Sequence, residues 1–380
     1  VMIVKSFYEH GKYLRKYNRD NNWLTMEMDG LFHIGILFPE FKLSEEWRKY
    51  ASNRLYEEIH QQFYPDGAQK ELACGYHGVS LKNMLKIYPL AQLNGYALPE
   101  DYLKLLENCY HYYVNITLPQ GCVPALNDSE WVGLRGILSE VRDYFPDNSD
   151  IAYVASAGKE GKEPDFKSIW MPWAGWAVMR SGWSVDDLYS IMEVGPLGVG
   201  HYHDDKLSVI ISAYGRRLLT EAGSYAYDSS QWRKYVVSAR AHNVTRVDGH
   251  DQSRSSVQNN ADSLLRSYRP LENRWISNET ADFAEGWYSD GFGPSHDRTV
   301  THYRALSFLK KSSCWLLVDV FNPSDDAEHS YETWFHLNST ECVPALNGGY
   351  TSCDEGKANL AIIPLRTDAP AGRIICGQEK

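Results

Sequence analysis

Residues 44–64 carry apolar side chains at every fourth position. Trp47, Ala51, Leu55, Ile59 and Phe63 would form one stripe on a helix. Ser44 stands just before the stripe as a candidate N-cap, and Pro65, Asp66 and Gly67 supply a stop. The run DYLKLLENCYHYYVNI (101–116) gives a second amphipathic helix after Pro99 and Glu100. Loops rich in Gly, Pro and Asp separate these runs, as helix hairpins require. Residues 1–150 are therefore predicted as a helical domain.

From about residue 165 the pattern changes to short β-rich runs broken by Gly and Asp. Examples are GWAVMRSGW, LYSIMEVG, LSVIISAYG, RRLLTEAG, HNVTRVDG, VTHYRALSFLK and CWLLVDVFN. Many short strands at this spacing predict an antiparallel sandwich over residues 151–380. LSVIISAYG and RRLLTEAG read as a hairpin turning near Gly215, with AHNVTRVDG as a third, adjacent strand. Residues 140–168, polar and Gly-rich toward their end, read as the connector. CVPALN occurs at 122–127 and again at 342–347, but the flanking residues do not match, so this is no repeat.

Composition narrows the function classes. A chain of 380 residues has room for two domains, and its apolar runs are too short to span a bilayer. The net charge of −11 argues against a nucleic-acid partner, which would need a basic footprint. Residues 203–254, however, hold 8 Lys and Arg against 6 Asp and Glu, a local excess that suits an anion. Aromatic residues make up 13% of the chain, which serves either large cores or stacking on sugars or bases. Seven cysteines without a CxxC pair indicate neither a zinc ribbon nor a dense disulfide frame. No signal-peptide pattern is visible at residue 1, so the compartment stays open.

The chemistry concentrates in GHYHDDKLSVIISAYGRRLLTEAG (200–223). On a strand, His201 and His203 would share one face. They could bind a metal, act on a substrate or cap a hairpin. His203, Glu221 and His242, from adjacent strands, would form a two-imidazole, one-carboxylate set suited to Zn²⁺. Alternatively, both histidines are hydrogen-bonded core residues and Glu221 ends a strand. HYHDDK fails the HxHxDH pattern of metallo-β-lactamase-like hydrolases at Lys206. HExxH, GxxxxGK[ST] and GxSxG patterns are absent. In the helical half, Asn22, Glu71, Tyr76 and His77 lie beside apolar helix faces, and each alone has an ordinary structural explanation.

Taken together, NNW (21–23), LFPEF (37–41), YPDGAQKELACGYH (64–77), the 200–223 run and SARAHNVTRVDGHDQ (238–252) resemble the heparinase II/III-like polysaccharide lyases. The resemblance implies an (α/α) toroid followed by an antiparallel β-sandwich, an α+β multidomain fold. Because NNW lies so near residue 1, the chain is expected to begin inside the toroid. The implied reaction is β-elimination on a uronate-containing acidic polysaccharide of heparan, chondroitin or alginate type. Asn22 and His201 would neutralise the uronate carboxylate, and Tyr76 would transfer the proton. Asn21, Glu71, His77 and Arg240 would line the substrate. His203, Glu221 and His242 would hold a structural zinc. Two positions depart from the family pattern. Glu221 stands where Asp is usual, and Trp23 where several alginate- and heparin-cleaving members have His. The substrate class implies a periplasmic or secreted protein. Two other readings are a glycoside hydrolase, drawing on Asp29, Glu71 or Asp128, and a glycan-binding protein without catalysis.

Overall fold

The computed structural model of the protein describes residues 2–254, 269–365 and 372–375. Cys376 and residues 255–268 of the expected β domain lie outside the described residues. The six described cysteines are free thiols.

Seven helices come first: α1 (Met2–Lys16), α2 (Asn21–Leu37), α3 (Ser44–Gln62), α4 (Cys74–Leu93), α5 (Tyr102–Ile116), α6 (Leu134–Val141) and α7 (Ser149–Ser156). The α3 stripe is buried as the spacing predicts, with Trp47, Ala51 and Leu55 fully enclosed. Its neighbour α2 contributes Leu24, Met28, Leu31 and Phe32 to the same core. Ser44 does not cap α3. Leu43 holds the cap position, and the Ser44 hydroxyl donates back to the Pro39 carbonyl at 3.1 Å. The 38–44 turn, closed by the Ser44 amide on the Phe41 carbonyl, already sets Ser44 as the first helical residue. The boundary expected at 150/151 falls inside α7. Ile151, Val154 and Ala155 of that helix join the helical core, so the helical half runs on to Ser156.

The β half begins with a five-stranded antiparallel sheet in chain order: β1 (Ile169–Met171), β2 (Trp176–Arg180), β3 (Tyr189–Glu193), β4 (Val209–Ala213) and β5 (Arg216–Leu219). Side chains alternate across it as strand geometry demands. Trp176, Val178, Tyr189, Ile191 and Ile210 pack on the helical core. Ala177, Met179, Met192, Val209 and Ile211 face the other way. Both faces are covered, which is why β2, β3 and β4 are buried at every position.

After the short helix α8 (Gln231–Val236) come β6 (Thr245–Val247), β7 (Trp275–Ser277), β8 (Ala281–Tyr288), β9 (Val300–Leu309), β10 (Cys314–Pro323) and β11 (Tyr331–Thr333). Strands β7 to β10 form a second antiparallel sheet, whose Ala284, Leu306 and Phe308 close the sandwich against the first. A smaller sheet of β12 (Cys342–Pro344), β13 (Tyr350–Ser352) and β14 (Ala361–Ile362) follows. The fold class is thus the expected helices-then-antiparallel-sheets arrangement.

The β4–β5 hairpin turns at Tyr214 and Gly215, both at positive φ, as a tight hairpin of this hand requires. The predicted third neighbour is different. Strand β6 pairs with β11, not β5. Asn243 anchors this segment instead, its carboxamide donating to the Val209 and Thr220 carbonyls at 2.9 and 2.8 Å. The two CVPALN copies fold differently, one as a loop and one partly as β12, yet Asn127 and Asn347 share a φ of 54°.

A buried arginine joins the halves. Arg180 on β2 donates to the Asn115 and Thr117 carbonyls at the end of α5, at 2.7 and 2.9 Å. Trp183 and Tyr189 flank its guanidinium.

Candidate active site

Three segments meet where the halves touch. Residues 69–72 precede α4, residues 127–129 follow α5, and residues 198–205 join β3 to β4. The Val199 amide donates to the Lys70 carbonyl at 3.1 Å, and the Asp128 amide to the His201 carbonyl at 3.1 Å. The Asn127 side chain spans both, donating to the Leu72 carbonyl and accepting from the His203 amide. Gly198 lies so close that a Cβ there would strike the Glu71 carbonyl. No side chain fits at that crossing.

His201 and His203 do not lie on a strand. They occupy the loop before β4, and His201 has a φ of 54°. The loop turns them to different tasks. The His201 ring lies on the Tyr76 ring with centroids 3.5 Å apart. Its Nδ1 is 3.0 Å from the Tyr227 hydroxyl and 3.4 Å from Asp128, and its Nε2 is 3.6 Å from Glu71. The Tyr76 and Tyr227 hydroxyls are 2.8 Å apart. Beside this cluster opens a cavity of about 290 Å³, lined by His201, Tyr202, His203, Asp204, Arg233 and Val237.

Asp128 organises the cluster. Its fully enclosed carboxylate meets His203 Nε2 at 2.9 Å and both Nη atoms of Arg233, one at 2.8 Å. Burial opposes this charge, but the hydrogen bonds from His201, His203 and Arg233 hold the carboxyl well below the usual range. Arg233 reaches it from α8, whose N-terminus is capped by the Ser230 hydroxyl at 3.2 Å. Glu71 is also buried, which pushes its carboxyl up against the hydrogen bond from Gln69 and the nearby His201. The Asn22 backbone amide at the start of α2 points to the same carboxylate. Asn21 beside it has a φ of 55°. Thus Asn22, Glu71, Tyr76 and His201, expected from the sequence, come together.

Two expected substrate residues lie elsewhere. His77 is fully buried, its Nε2 3.0 Å from the Cys109 carbonyl and its ring stacked on Tyr112. One residue along a helix rotates the side chain by about 100°, so Tyr76 turns to His201 and Tyr227 while His77 turns to the core. Arg240 lies over the Trp334 ring, 5.3 Å from its centroid, and does not line the cavity. The arginine that does is Arg233.

Behind the cluster lies a candidate metal centre. Ligand-type atoms of His203, Asp205 and His242 lie within 4.8 Å of one another. His203 Nδ1, Asp205 Oδ2 and His242 Nε2 are buried without a hydrogen-bond partner. Such orphaned atoms, two imidazole nitrogens and a carboxylate oxygen, fit a divalent cation. Glu221, the expected carboxylate, is not in this triad. It bonds His242 Nδ1 and the Ser208 hydroxyl. The loop accounts for this. It folds Asp205 back onto the imidazoles, while β5 leaves Glu221 on the far nitrogen of His242. Arg254 fixes Asp205 Oδ1 at 2.7 Å.

Sequence reasoning missed the joining roles of Asp128 and Tyr227. Neither has a periodic or motif signal, and each acquires its role through contacts more than 70 or 25 residues away. Of the triad, His203 and His242 were expected from the sequence, and Asp205 was not.

Comparisons with known proteins agree with this architecture. The family model described as Heparinase II/III N-terminus matches residues 1–153, and that described as Heparinase II/III-like, C-terminal, matches residues 163–377. The chain belongs to the heparinase II/III family. A heparin-sulfate lyase of Pedobacter heparinus is 25% identical over 390 aligned positions, covering 95% of this chain and 56% of that protein. A heparin-sulfate lyase of Bacteroides stercoris is 31% identical over 216 residues, 56% of this chain and 32% of that protein. The crystal structure of heparan sulfate lyase HepC from Pedobacter heparinus superposes with a TM-score of 0.77 at 24% identity, covering 97% of this chain and 56% of that one. A structure of heparinase III gives 0.79 at 20% identity, covering 95% of this chain and 56% of that one. The fold is therefore the toroid-plus-sandwich type. The chain spans about half the length of these two solved structures and of the Pedobacter relative.

Proposed function

We propose that the protein is a lyase acting on a uronate-containing acidic polysaccharide, with heparan sulfate as the first candidate. The observation that carries this reading is the contact of Tyr76, His201 and Tyr227 at the junction of the halves, beside the cavity that His201 and Arg233 line. The heparin-sulfate lyases similar to this chain support the substrate class.

In the proposed reaction a base removes the proton at C5 of the uronate. The electron pair forms the C4=C5 double bond, the C4–O bond breaks, and the leaving oxygen takes a proton. Tyr76 is the residue proposed to accept and return that proton. Charge building on the uronate carboxylate needs donors, as an oxyanion does, and Asn22 and His201 are proposed for it. Asp128 and Tyr227 hold His201 from Nδ1, and Nε2, 3.6 Å from Glu71 and beyond hydrogen-bond length, is the nitrogen proposed to face the uronate carboxylate. Both carboxylates are buried and turned onto His201, which favours elimination over a hydrolase with two acids facing the scissile bond.

His203, Asp205 and His242 would hold a metal ion, and zinc suits this donor set. When bound, it would tie the 203–205 loop to the segment before β6, a structural link rather than a reacting group. Asp128 on His203 and Glu221 on His242 would orient the two imidazoles, as carboxylates behind metal-bound histidines do. A location outside the cytoplasm goes with this substrate class.

The test is ultraviolet absorbance of the protein with heparan sulfate, chondroitin sulfate and alginate, beside an assay of new reducing ends. A growing C4=C5 chromophore on one glycan is expected and names its class. Reducing ends without the chromophore would replace the lyase with a hydrolase.

A further inference from the structure

A second pocket, of about 380 Å³, opens near the β4–β5 hairpin. Its size falls at the small end of ligand sites. Trp131 and Arg217 line it, the guanidinium stacked 4.2 Å from the indole centroid. Arg135 lies beside the lining residue Gly121, since a Cβ there would sit 2.5 Å from the Arg135 Nε. That contact and its φ of 76° keep position 121 a glycine.

The charge here is unusual for an acidic chain. Arg216 is satisfied by Asp354 at 2.6 Å and by backbone carbonyls. Among the described residues, the guanidinium groups of Arg217 and Arg135 have neither a carboxylate partner nor a hydrogen-bond acceptor. Glu130, beside Trp131, is exposed and pairs with neither. Both arginines act electrostatically on Cys122 in the pocket wall. Two uncompensated guanidinium groups at a concave surface concentrate positive potential. The indole fixes one of them, leaving its N–H fork free for a planar or tetrahedral oxyanion.

The geometry points to a distal subsite in which Trp131, Arg217 and Arg135 bind an acidic, sulfated or carboxylated, sugar residue of the same polysaccharide. This rests on the lyase reading for the identity of the ligand. The loop that carries Asp128 to the catalytic histidine also carries Trp131 to the pocket. Only two residues lie between them, so their α-carbons are at most about 11 Å apart. The pocket and the His201 cluster thus share one short loop.

The test compares wild type with Arg217→Ala, Arg217→Glu and Trp131→Ala, using long-chain heparan sulfate and a heparan sulfate tetrasaccharide. The expected result is a KM for the long chain raised at least tenfold in Arg217→Glu and severalfold in the two alanine variants. The kcat should stay unchanged and the tetrasaccharide KM should move less than twofold. Equal KM values for the long chain in wild type and Arg217→Glu would overturn the subsite and leave the lyase standing. Calorimetric titration of a heparan sulfate decasaccharide separates the two readings. If the wild type binds it but produces no chromophore, and Arg217→Glu loses tenfold in affinity, the subsite stands and the lyase falls. A wild type that does not bind the decasaccharide would overturn the subsite as well. Thermal melts within two degrees of wild type show that each variant is folded.

Discussion

The imidazole of His201 lies on the phenol of Tyr76, centroids 3.5 Å apart and planes 17° from parallel. The tyrosine comes from a helix of the first half, and the histidine from a loop of the second. Neither half alone contains the pair, so docking of the halves assembles the site.

Removing the Tyr76 hydroxyl leaves that stack intact and takes away the proposed proton carrier. Tyr76→Phe should lower kcat by roughly 10²- to 10⁴-fold, the usual worth of general acid–base help. Initial rates of chromophore formation measure it, and circular dichroism should match wild type. A variant with more than a tenth of wild-type activity would remove Tyr76 from the mechanism.

Asp128 is the shared acceptor of His201, His203 and Arg233. Asp128→Ala leaves Arg233 without its carboxylate partner and removes the carboxylate contacts of both imidazoles. Breaking an enclosed pair of this kind costs about 3–5 kcal/mol. Urea unfolding checks the size, and a loss under 1 kcal/mol would show that the other contacts suffice.

The metal centre has its own measurement. Elemental analysis should find about one zinc per chain, released by His242→Ala together with a fall in Tm. Asp205→Asn should also release the metal, whereas Glu221→Gln should weaken binding about 10- to 100-fold, as loss of an orienting carboxylate does. The reverse order would make Glu221 the ligand. Full activity and an unchanged Tm in metal-free protein would sink the structural link.

His77 sets a pH limit on stability. Burial pushes its pKa down from 6.5 to about 3, against the hydrogen bond to the Cys109 carbonyl. Below pH 6.5 the unfolded chain binds a proton that the folded one refuses. Stability is therefore full above that pH and declines as pH falls toward 3. The slope approaches about 1.4 kcal/mol per pH unit from this one group. His77→Phe should flatten the decline between pH 6 and 4 in denaturant titrations. An unaltered slope would assign it to other groups.

Much of this protein was legible in its sequence because the relevant signals are local. The fourfold stripe of Trp47, Ala51, Leu55 and Ile59, and the short apolar runs of β2 to β5, read out helix and strand through side-chain periodicity alone. The composite motifs pointed to Asn22, Tyr76, His201, His203 and His242. The failures are all matters of direction and partner. His77 and Tyr76 are adjacent letters turned about 100° apart around one helix. Arg240 and Arg233 carry the same charge seven residues apart, and only one turns to the cleft. Asp205 took the place expected for Glu221 because a loop at His201, held at positive φ, folds back where a strand would have run on. Asp128 was read only as a possible hydrolase acid and Tyr227 not at all, since their roles consist entirely of contacts between distant segments. Periodicity determines which elements form and which faces they bury. Where a loop side chain ends up depends on the docking of two halves, and the tertiary structure alone decided that.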